Sequence, residues 1–247
     1  MKSKIAIAAG MCLAILSLPL TAATVSLDSY WNGNAATLKQ SLIDACVAAG
    51  NGGRINLSAR TYTTDKELVV NRSVRIVGQG RWSSFFKRTD TAWGPVIKCQ
   101  ANGIEFNSLG VDGNINTPGV QADRFGIITD GKVNIKVLNS LLYRVNYGIF
   151  NGGGKGSNGL KIDSTHFLSN HYYSLWLWSI DAQPSPLWVG RLEFTNNYIK
   201  NGGLMGVNID YGNENRSLLN SVDMSAFING GYLRSLIQGN YIEQVNE

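Results

Sequence analysis

The feature that most constrains the fold is a pattern of short strands and polar corners that repeats between Val133 and Tyr211. Each repeat has three strands and two polar corners, and its third strand opens with an aromatic residue or methionine followed by a small residue. The first corner recurs at intervals of 25, 32 and 43 residues, as Asn139-Ser140, Ser164-Thr165, Asn196-Asn197 and Gly239-Asn240, with Ser108 placed 32 residues before Ser140. Such variable spacing is typical of a solenoid, because insertions at corners leave the stacked strands undisturbed.

The strand pattern also indicates the kind of solenoid. Between Val133 and Glu247 we find none of the 3.6-residue periodicity that helical repeats carry, so three short strands per turn remain. Strands that stack on their own equivalents predict an all-β fold, a parallel β-helix of about five to seven coils. A β-sandwich with evenly spaced strands is the alternative. Asparagine at the corners favours the β-helix, because asparagine tolerates left-handed backbone.

Residues 1–23 have the pattern of a signal peptide, which leaves 24–247 as one β-helix domain. Lys2 and Lys4 precede an apolar run from Ile5 to Leu20, and the small residues Thr21-Ala22-Ala23 suit a signal peptidase. The run is short for a membrane span, although a single-span anchor is the alternative. We therefore expect an exported protein, periplasmic or extracellular, that is not embedded in a membrane.

The net charge limits the classes of partner that the protein is expected to bind. The net charge of +5 falls to +3 when Lys2 and Lys4 are removed, which permits an acidic polysaccharide such as a uronate polymer. No clustered basic stripe is present, so nucleic acid is not expected. Cys46 and Cys99 remain after cleavage, and in an oxidising compartment both a disulfide and two buried free thiols stay open.

One helix is predicted in the mature chain. Its apolar residues Leu38, Leu42, Ala45 and Ala49 share one helical face, with Asn34 as N-cap and Gly50 as a left-handed stop. The first coil of a solenoid has an uncovered core, and an amphipathic helix placed before it is a natural lid.

The segment after this helix carries a family resemblance. A Gly52-Gly53 turn, a strand ending near Thr61-Tyr62, a second strand at 67–70 and a third that closes on Gly78-Gln79-Gly80 resemble the opening coil of the pectate-lyase-like superfamily. That superfamily consists of right-handed, single-stranded parallel β-helices. It includes pectate lyases, polygalacturonases, epimerases, phage tailspike depolymerases and proteins without known catalysis, so the resemblance predicts the fold more sharply than the activity.

The resemblance covers residues 25–80 by motif and 104–247 by coil pattern, and it implies a secreted protein that acts on polysaccharide as a lyase or glycoside hydrolase. Polygalacturonase-like members carry Asn-x-Asp, Asp-Asp, Gly-His-Gly and Arg-x-Lys strings. The last three are missing here, as is the arginine-proline signature of pectate lyases. The alternative is therefore a non-catalytic glycan-binding or structural solenoid, or a truncated relic of a longer enzyme.

The third strands indicate the working face. Aligned at Phe125, Tyr147, Tyr173 and Met205, they alternate so that one row is aliphatic and core-facing: Ile127, Ile149, Leu175 and Val207. The opposite side holds two rows, the first being Ile128, Phe150, Trp176 and Asn208 and the second Asp130, Gly152, Trp178 and Asp210. Unpaired carboxylates are costly to bury, so this side is expected to face outwards.

Exposed tryptophans beside carboxylates and amides suit carbohydrate, because rings stack on sugars while polar groups bond hydroxyls. The predicted substrate-binding residues are Trp176, Trp178, Asn208, Asp130 and Phe150. A second interpretation is that these rings pack beneath the long corner at 181–187 as a satellite cluster that includes Tyr172, Tyr173, Trp176, Trp178 and Trp188.

Catalytic candidates follow from position. In a hydrolase, Asp210 would form the pair of catalytic carboxylates with Asp181 or with Glu214. A lyase instead needs a base that removes a proton and a cation that neutralises the substrate carboxylate. The candidates for these two roles are His171, Arg191, Lys155 and Arg216. His166 is expected to be structural, and Asp112 to lie in a turn. No metal site is expected, and calcium would be a cofactor only if the protein is a lyase. The strand pattern runs close to Glu247, so we also expect either a truncated copy of a longer protein or a partner chain that caps the last coil.

Overall fold

A computed structural model shows residues 22–116, 119, 123–151, 159–179, 192–202, 205–211, 214–218 and 236–245 of the chain. Of residues 178–179, 201–202, 205–211, 214–218, 237 and 244–245 it describes the backbone. The predicted signal peptide at 1–23 lies almost wholly outside this range. Within the described ranges, no helix has the length and apolarity needed to cross a membrane.

The strands form three sheets. The first sheet, in spatial order, contains β1 (Thr24–Ser26), β2 (Gly53–Asn56), β5 (Val74–Val77), β8 (Glu105–Asn107), β11 (Lys136–Leu138), β14 (Leu160–Asp163), β17 (Leu192–Thr195) and β21 (Leu236–Gln238). The second contains β3 (Thr61–Thr64), β6 (Phe85–Arg88), β9 (Gly110–Asp112), β12 (Leu141–Tyr143), β15 (His166–Leu168), β18 (Tyr198–Gly202) and β22 (Tyr241–Val245). The third contains β4 (Leu68–Val70), β7 (Gly94–Cys99), β10 (Arg124–Ile128), β13 (Tyr147–Asn151), β16 (Tyr173–Ser179), β19 (Met205–Tyr211) and β20 (Glu214–Leu218).

Successive strands visit the three sheets in turn, so that each coil supplies one strand to each sheet. The first coil is β2, β3 and β4, the sixth is β17, β18 and β19, and β21 and β22 begin a seventh. The pairings between described strands are parallel, except that β20 returns antiparallel along β19. The predicted parallel β-helix, and its number of coils, are confirmed.

The corners after the first sheet have the predicted left-handed backbone. The φ angles of Asn139, Ser164, Asn196 and Gly239 are 49°, 51°, 53° and 67°. The equivalence assigned to Ser108 is wrong by one residue: Leu138 pairs with Asn107, so Ser108, with φ of 56°, matches Asn139 and not Ser140. The error arose because a serine can occupy either corner position.

Behind these corners runs a buried polar ladder. Asn197 Oδ1 accepts a hydrogen bond from the backbone amide of Thr165 at 2.9 Å. The backbone amide of Asn197 in turn donates to Asn240 Oδ1 at 2.9 Å. Asn197 Nδ2 also donates to the Ile162 carbonyl at 3.1 Å. The corner asparagines thus satisfy backbone groups that the turn of the chain would leave unpaired inside the solenoid.

The helix α1 spans Leu38–Ala49 and packs on β1, β2 and β4, which confirms the lid. Its start differs from the prediction. Asn34 caps a 3-10 turn at Ala35–Thr37, where its side chain accepts from the Ala36 amide, and the α-helix begins three residues later. Gly50 ends the helix with φ of 69° but ψ of 176°, so it is not in the left-handed α conformation.

The core runs as one cluster along the solenoid axis, with aliphatic residues from all three sheets and fully buried rings such as Phe86, Phe106 and Phe167. Both cysteines lie in it as free thiols, which decides the open question against a disulfide. Burial raises the pKa of Cys46 to about 11 and raises that of Cys99 further, so both stay protonated near neutral pH.

Candidate functional site

The third sheet has the predicted register. Ile127, Ile149, Leu175 and Val207 are paired strand to strand, and the first three are fully buried. The next row pairs Ile128, Phe150, Trp176 and Asn208, of which the first three are half-buried. Trp178 pairs with Asp210. The outward row of aromatic residues is therefore present for Phe150 and Trp176.

A second set of rings lies on the same outer face, which sequence alternation alone does not predict. Phe125 is the second residue of β10 and Tyr147 the first of β13, and a side chain on the glycine that follows either of them would point inwards. A Cβ on Gly148 would meet the core ring of Phe167 at 2.8 Å and the Ser174 carbonyl at 2.3 Å. Two inward positions therefore follow each other, and the opening aromatic residue is turned outwards. The aromatic-plus-small pair that opens each third strand was the available signal.

These two sets form a continuous array. Phe125 stacks on Tyr147 at 4.7 Å between ring centroids, and Tyr147 stacks on Trp176 at 5.0 Å. Phe150 bridges the two sets, 4.9 Å from Phe125 and 4.8 Å from Trp176. We call the array the aromatic stripe and define it as Trp93, Phe125, Tyr147, Phe150, Tyr173 and Trp176. It crosses four coils, about 14 Å at about 4.8 Å per coil.

Trp93 ends the stripe and is its most exposed member at 64%. It packs edge-on against Phe125 at 5.9 Å. The corner that carries it is held by Arg88, which donates to the Pro95 carbonyl at 2.6 Å and to both Asp90 carboxylate oxygens at 2.6 and 2.8 Å. Arg124, fully buried, donates to Asp90 Oδ1 at 3.2 Å. This ion triad fixes the end of the stripe.

The pKa values of two groups around the stripe are shifted. Burial, the nearby Asp123 carboxylate and the neighbouring Tyr172 and Tyr173 raise the pKa of Tyr147 to about 12, so its hydroxyl keeps its proton near neutral pH and can donate to a ligand. Burial by itself would raise the pKa of Asp90, but the hydrogen bonds and charges of the two arginines outweigh burial and lower it.

Of the other predicted binding residues, Asp130 has a half-exposed side chain 3.8 Å from Lys98, on the same outer face. Its φ of 48° marks a corner, so Asp130 follows its strand rather than belonging to it. Asn208 is described by its backbone, in register with Trp176. Trp178 is likewise described by its backbone alone.

The predicted catalytic residues are only partly described. Asp210 lies on β19, where the antiparallel return sets Asn215 directly opposite it and sets Glu214 opposite Tyr211. Arg216 lies opposite Ile209. Asp181, Arg191, Lys155 and Trp188 fall outside the described residues, as does the long corner at 181–187. Asp130, which follows β10, and Asp210, on β19, lie three coils apart along the solenoid.

The two histidines lie on different faces. His171 is exposed and stacks on Tyr172 at 5.0 Å, and Tyr172 in turn lies 5.5 Å from Tyr147 of the stripe. His166 lies on the second sheet, edge-on to Tyr198 at 5.2 Å, where burial and the charge of Arg81 lower its pKa. Asp112 is buried at the end of β9, where it accepts a hydrogen bond from the Asn114 amide at 2.8 Å, as predicted for a turn residue, and also pairs with Arg144.

Across the described part of the chain, no three His, Cys, Asp or Glu side chains gather as metal ligands would. The expectation of calcium in a lyase therefore stays a prediction.

Comparison with known proteins adds little. No protein-family model matches the sequence, and no curated protein matches it. Among solved structures, the chain is similar to ORF18 of Geobacillus virus E2, with 17% identity and a TM-score of 0.49 over 75% of this chain and 52% of the other. It is also similar to the Dettilon tailspike protein gp208, with 12% identity and a TM-score of 0.42 over 78% of this chain and 48% of the other. The chain thus spans about half of each, and similarity at this level does not bear on function.

Proposed function

We propose that the protein binds polysaccharide along the aromatic stripe. The carrying observation is the unbroken series of ring contacts from Phe125 to Trp176 on the outer face of one sheet. None of the rings of the stripe belongs to the core cluster, which lies inside the coils. Phe125 is only 6% exposed, but the other rings of the stripe are half-buried or exposed. Such rings on an outer face are what the apolar faces of pyranose rings pack against.

The shape of the stripe favours a polymer. It follows the solenoid axis across four coils, a length of about 14 Å, and so presents an extended surface. Polar groups lie at its edges, including the Tyr147 hydroxyl and the Lys98–Asp130 pair, and these can bond to sugar hydroxyls. The mixed charge at the edges is compatible with neutral and acidic chains alike.

Cleavage of the bound polymer is the second candidate function, and two observations support it. His171 lies at the edge of the stripe through its stacking on Tyr172, within reach of a ligand that needs a base. Asn208-Ile209-Asp210 on β19 has the Asn-x-Asp spacing of polygalacturonase-like proteins. The acid partner of Asp210 would be Asp181 or Glu214. Asp130 is unsuitable, because three coils make about 14 Å, beyond the 5 to about 9.5 Å of glycosidase pairs.

The other expectations drawn from the sequence are part of this proposal. Membership of the pectate-lyase-like superfamily, export by the segment at 1–23 and a periplasmic or extracellular location are supported by sequence patterns. Calcium would be a cofactor only if the protein cleaves its polymer as a lyase. A partner chain that caps the last coil is compatible with binding and with cleavage.

Affinity electrophoresis in gels containing a panel of neutral and acidic polysaccharides tests the proposal. The wild type should be retarded by at least one polymer, and Tyr147→Ala should lose most of that retardation. Tyr241→Ala is the matched control, because Tyr241 is a 60% exposed tyrosine on the second sheet. Products that absorb in the near ultraviolet indicate a lyase, and new reducing ends without that absorbance indicate a hydrolase. Absence of retardation and of products on every polymer contradicts the proposal.

A further inference from the structure

The outer face of the first sheet, which the aromatic stripe does not use, carries a row of charged side chains. Core residues such as Ile76, Phe106 and Val137 occupy inward positions of these strands, so the residues immediately before them point outwards. Register aligns these outward residues on six successive strands as Arg54, Arg75, Glu105, Lys136, Lys161 and Glu193. The last two form an ion pair at 2.8 Å. Four of the six are cations, so the row has an excess of positive charge.

Arg75 and Lys136 are the exposed cations of this row. Neither side chain forms an ion pair or hydrogen bond with any described residue. Glu105 lies between them in register, one coil from each, but its carboxylate accepts a hydrogen bond from Asn107 Nδ2 at 3.3 Å, two residues further along its own strand. Two cations around one acid leave a surplus positive charge at this place on the sheet.

A cavity of about 260 Å³ opens beside these charges, at the corners that lead into the first sheet. Its lining includes three residues of the charged row and three of the corners, namely Arg75, Glu105, Lys136, Ser73, Gly103 and Asn134. The strands of Arg75 and Lys136 are two coils apart, about 10 Å, and both side chains border this one space. The volume lies just below the range of about 300–1,000 Å³ of sites for drug-sized ligands, so the cavity suits a single sugar residue and not several.

Hydrogen bonds between stacked corners hold the floor of this cavity in place. Ser73 Oγ donates to the Gly103 carbonyl at 3.0 Å, and the Gly103 amide donates to the Val133 carbonyl at 2.9 Å. Gly103 has a φ of 68°, and a Cβ there would lie 2.6 Å from Ser73 Oγ, so this close approach of two corners requires glycine. The floor is therefore fixed before a ligand arrives, which lowers the entropic cost of binding.

We propose that this cavity binds one oxyanion-bearing sugar residue, a uronate or a sulfated sugar, and that Arg75 and Lys136 hold its oxyanion. A guanidinium presents paired donors that match a carboxylate or a sulfate, and the ammonium adds a second charge. The Glu105 carboxylate and the Asn134 amide border the same space and can bond to sugar hydroxyls. Because no aromatic residue lines the cavity, binding should be in the millimolar range. The site lies on the first sheet and does not rest on the stripe binding glycan.

Titration of the protein with monosaccharides, followed through the backbone amide NMR signals of Ser73, Gly103 and Asn134, tests this site. The probes are methyl glucuronide, glucose 6-sulfate and the neutral methyl glucoside, at one ionic strength set with sodium chloride. At least one anionic probe should shift these signals saturably, and the glucoside should bind at least about tenfold more weakly. A response to the glucuronide alone assigns the site to carboxylates, and a response to the sulfate alone assigns it to sulfated sugars. No saturable response to either anionic probe overturns the proposal, and so does equal binding of the glucoside.

Matched variants separate the cavity from general surface charge. Arg75→Gln should weaken binding of the anionic probe about five- to tenfold. Arg54→Gln removes the same charge from the same row, one coil away and outside the cavity lining, and should change it less than about twofold. Equal weakening in both variants would overturn the site. Tyr147→Ala should keep the response, so that failure of the stripe and failure of this cavity are read separately.

Discussion

The ring of Tyr147 stacks on that of Trp176 with centroids 5.0 Å apart, although the two residues belong to neighbouring coils of the solenoid. This contact joins the two outward sets of rings on the third sheet into one surface. The opening residue of one strand thereby touches the fourth residue of the next. The two sets also meet where the Phe150 ring lies 4.9 Å from that of Phe125, so more than one diagonal contact joins them.

The glycine that follows each opening aromatic residue should be intolerant of a side chain where the next coil is close. Gly148→Ala would place a Cβ 2.3 Å from the Ser174 carbonyl, and overpacking of this kind costs about 1–3 kcal/mol. Ser174→Ala is the matched control, since Ser174 holds the equivalent position one coil on and its buried hydroxyl has no partner. We expect it to be neutral or stabilising. Urea unfolding measures both, and a greater loss in Ser174→Ala contradicts the inward assignment.

Much of this geometry is predictable from the sequence, and the exceptions have a physical cause. The third-sheet alignment from Phe125 to Met205 is correct because equivalent strands keep their side-chain pattern when stacked. Simple alternation fails for Phe125 and Tyr147, because two inward positions follow each of them. Alternation assumes a regular strand, and the irregularity appears only when the neighbouring coil is in place.

The Trp93 end of the stripe was not predictable in this way. Trp93 precedes its strand, and its position depends on Arg88, Asp90 and the distant Arg124, which stacking of successive coils brings together. Local sequence contains no signal for a contact of this range. The left-handed corners were easier to predict, because asparagine at such a corner has a local reason to be there.

The buried ladder residue Asn197 should contribute more to the free energy of unfolding than the exposed corner residue Asn196. Asn197→Ala leaves the Thr165 amide and the Ile162 carbonyl without their partner inside the solenoid, and we expect a loss of about 1–3 kcal/mol in the free energy of unfolding. Asn196→Gly is the control, because Asn196 is exposed with φ of 53°, a conformation that glycine adopts freely. Chemical denaturation compares the two, and equal losses would argue against the ladder.

Asp90 should stabilise the fold in a pH-dependent manner. Its pKa is lowered in the folded state, so its contribution is present above the unfolded value of about 3.9 and is lost as pH falls through the lower folded value. Asp90→Asn leaves Arg88 and Arg124 enclosed without a counter-charge, and near pH 7 we expect a loss of about 3–5 kcal/mol.

Thermal unfolding of Asp90→Asn and the wild type from pH 7 to pH 3 measures this effect. The difference between the two proteins should shrink as the pH approaches 3. Asp44→Asn, at an exposed position of α1, should differ little from the wild type throughout. A difference for Asp90→Asn that stays constant with pH would show that the carboxylate charge is not what holds the triad.

The central claim is that the aromatic stripe binds polysaccharide, and Trp176→Ala tests it most directly when retention in a polysaccharide gel and unfolding free energy are measured on the same preparation. An outward, ligand-stacking ring predicts weaker retention by about 1 kcal/mol or more with little loss of stability. Unchanged retention together with a stability loss of about 3 kcal/mol or more would show instead that Trp176 is packed as core, and would contradict the account.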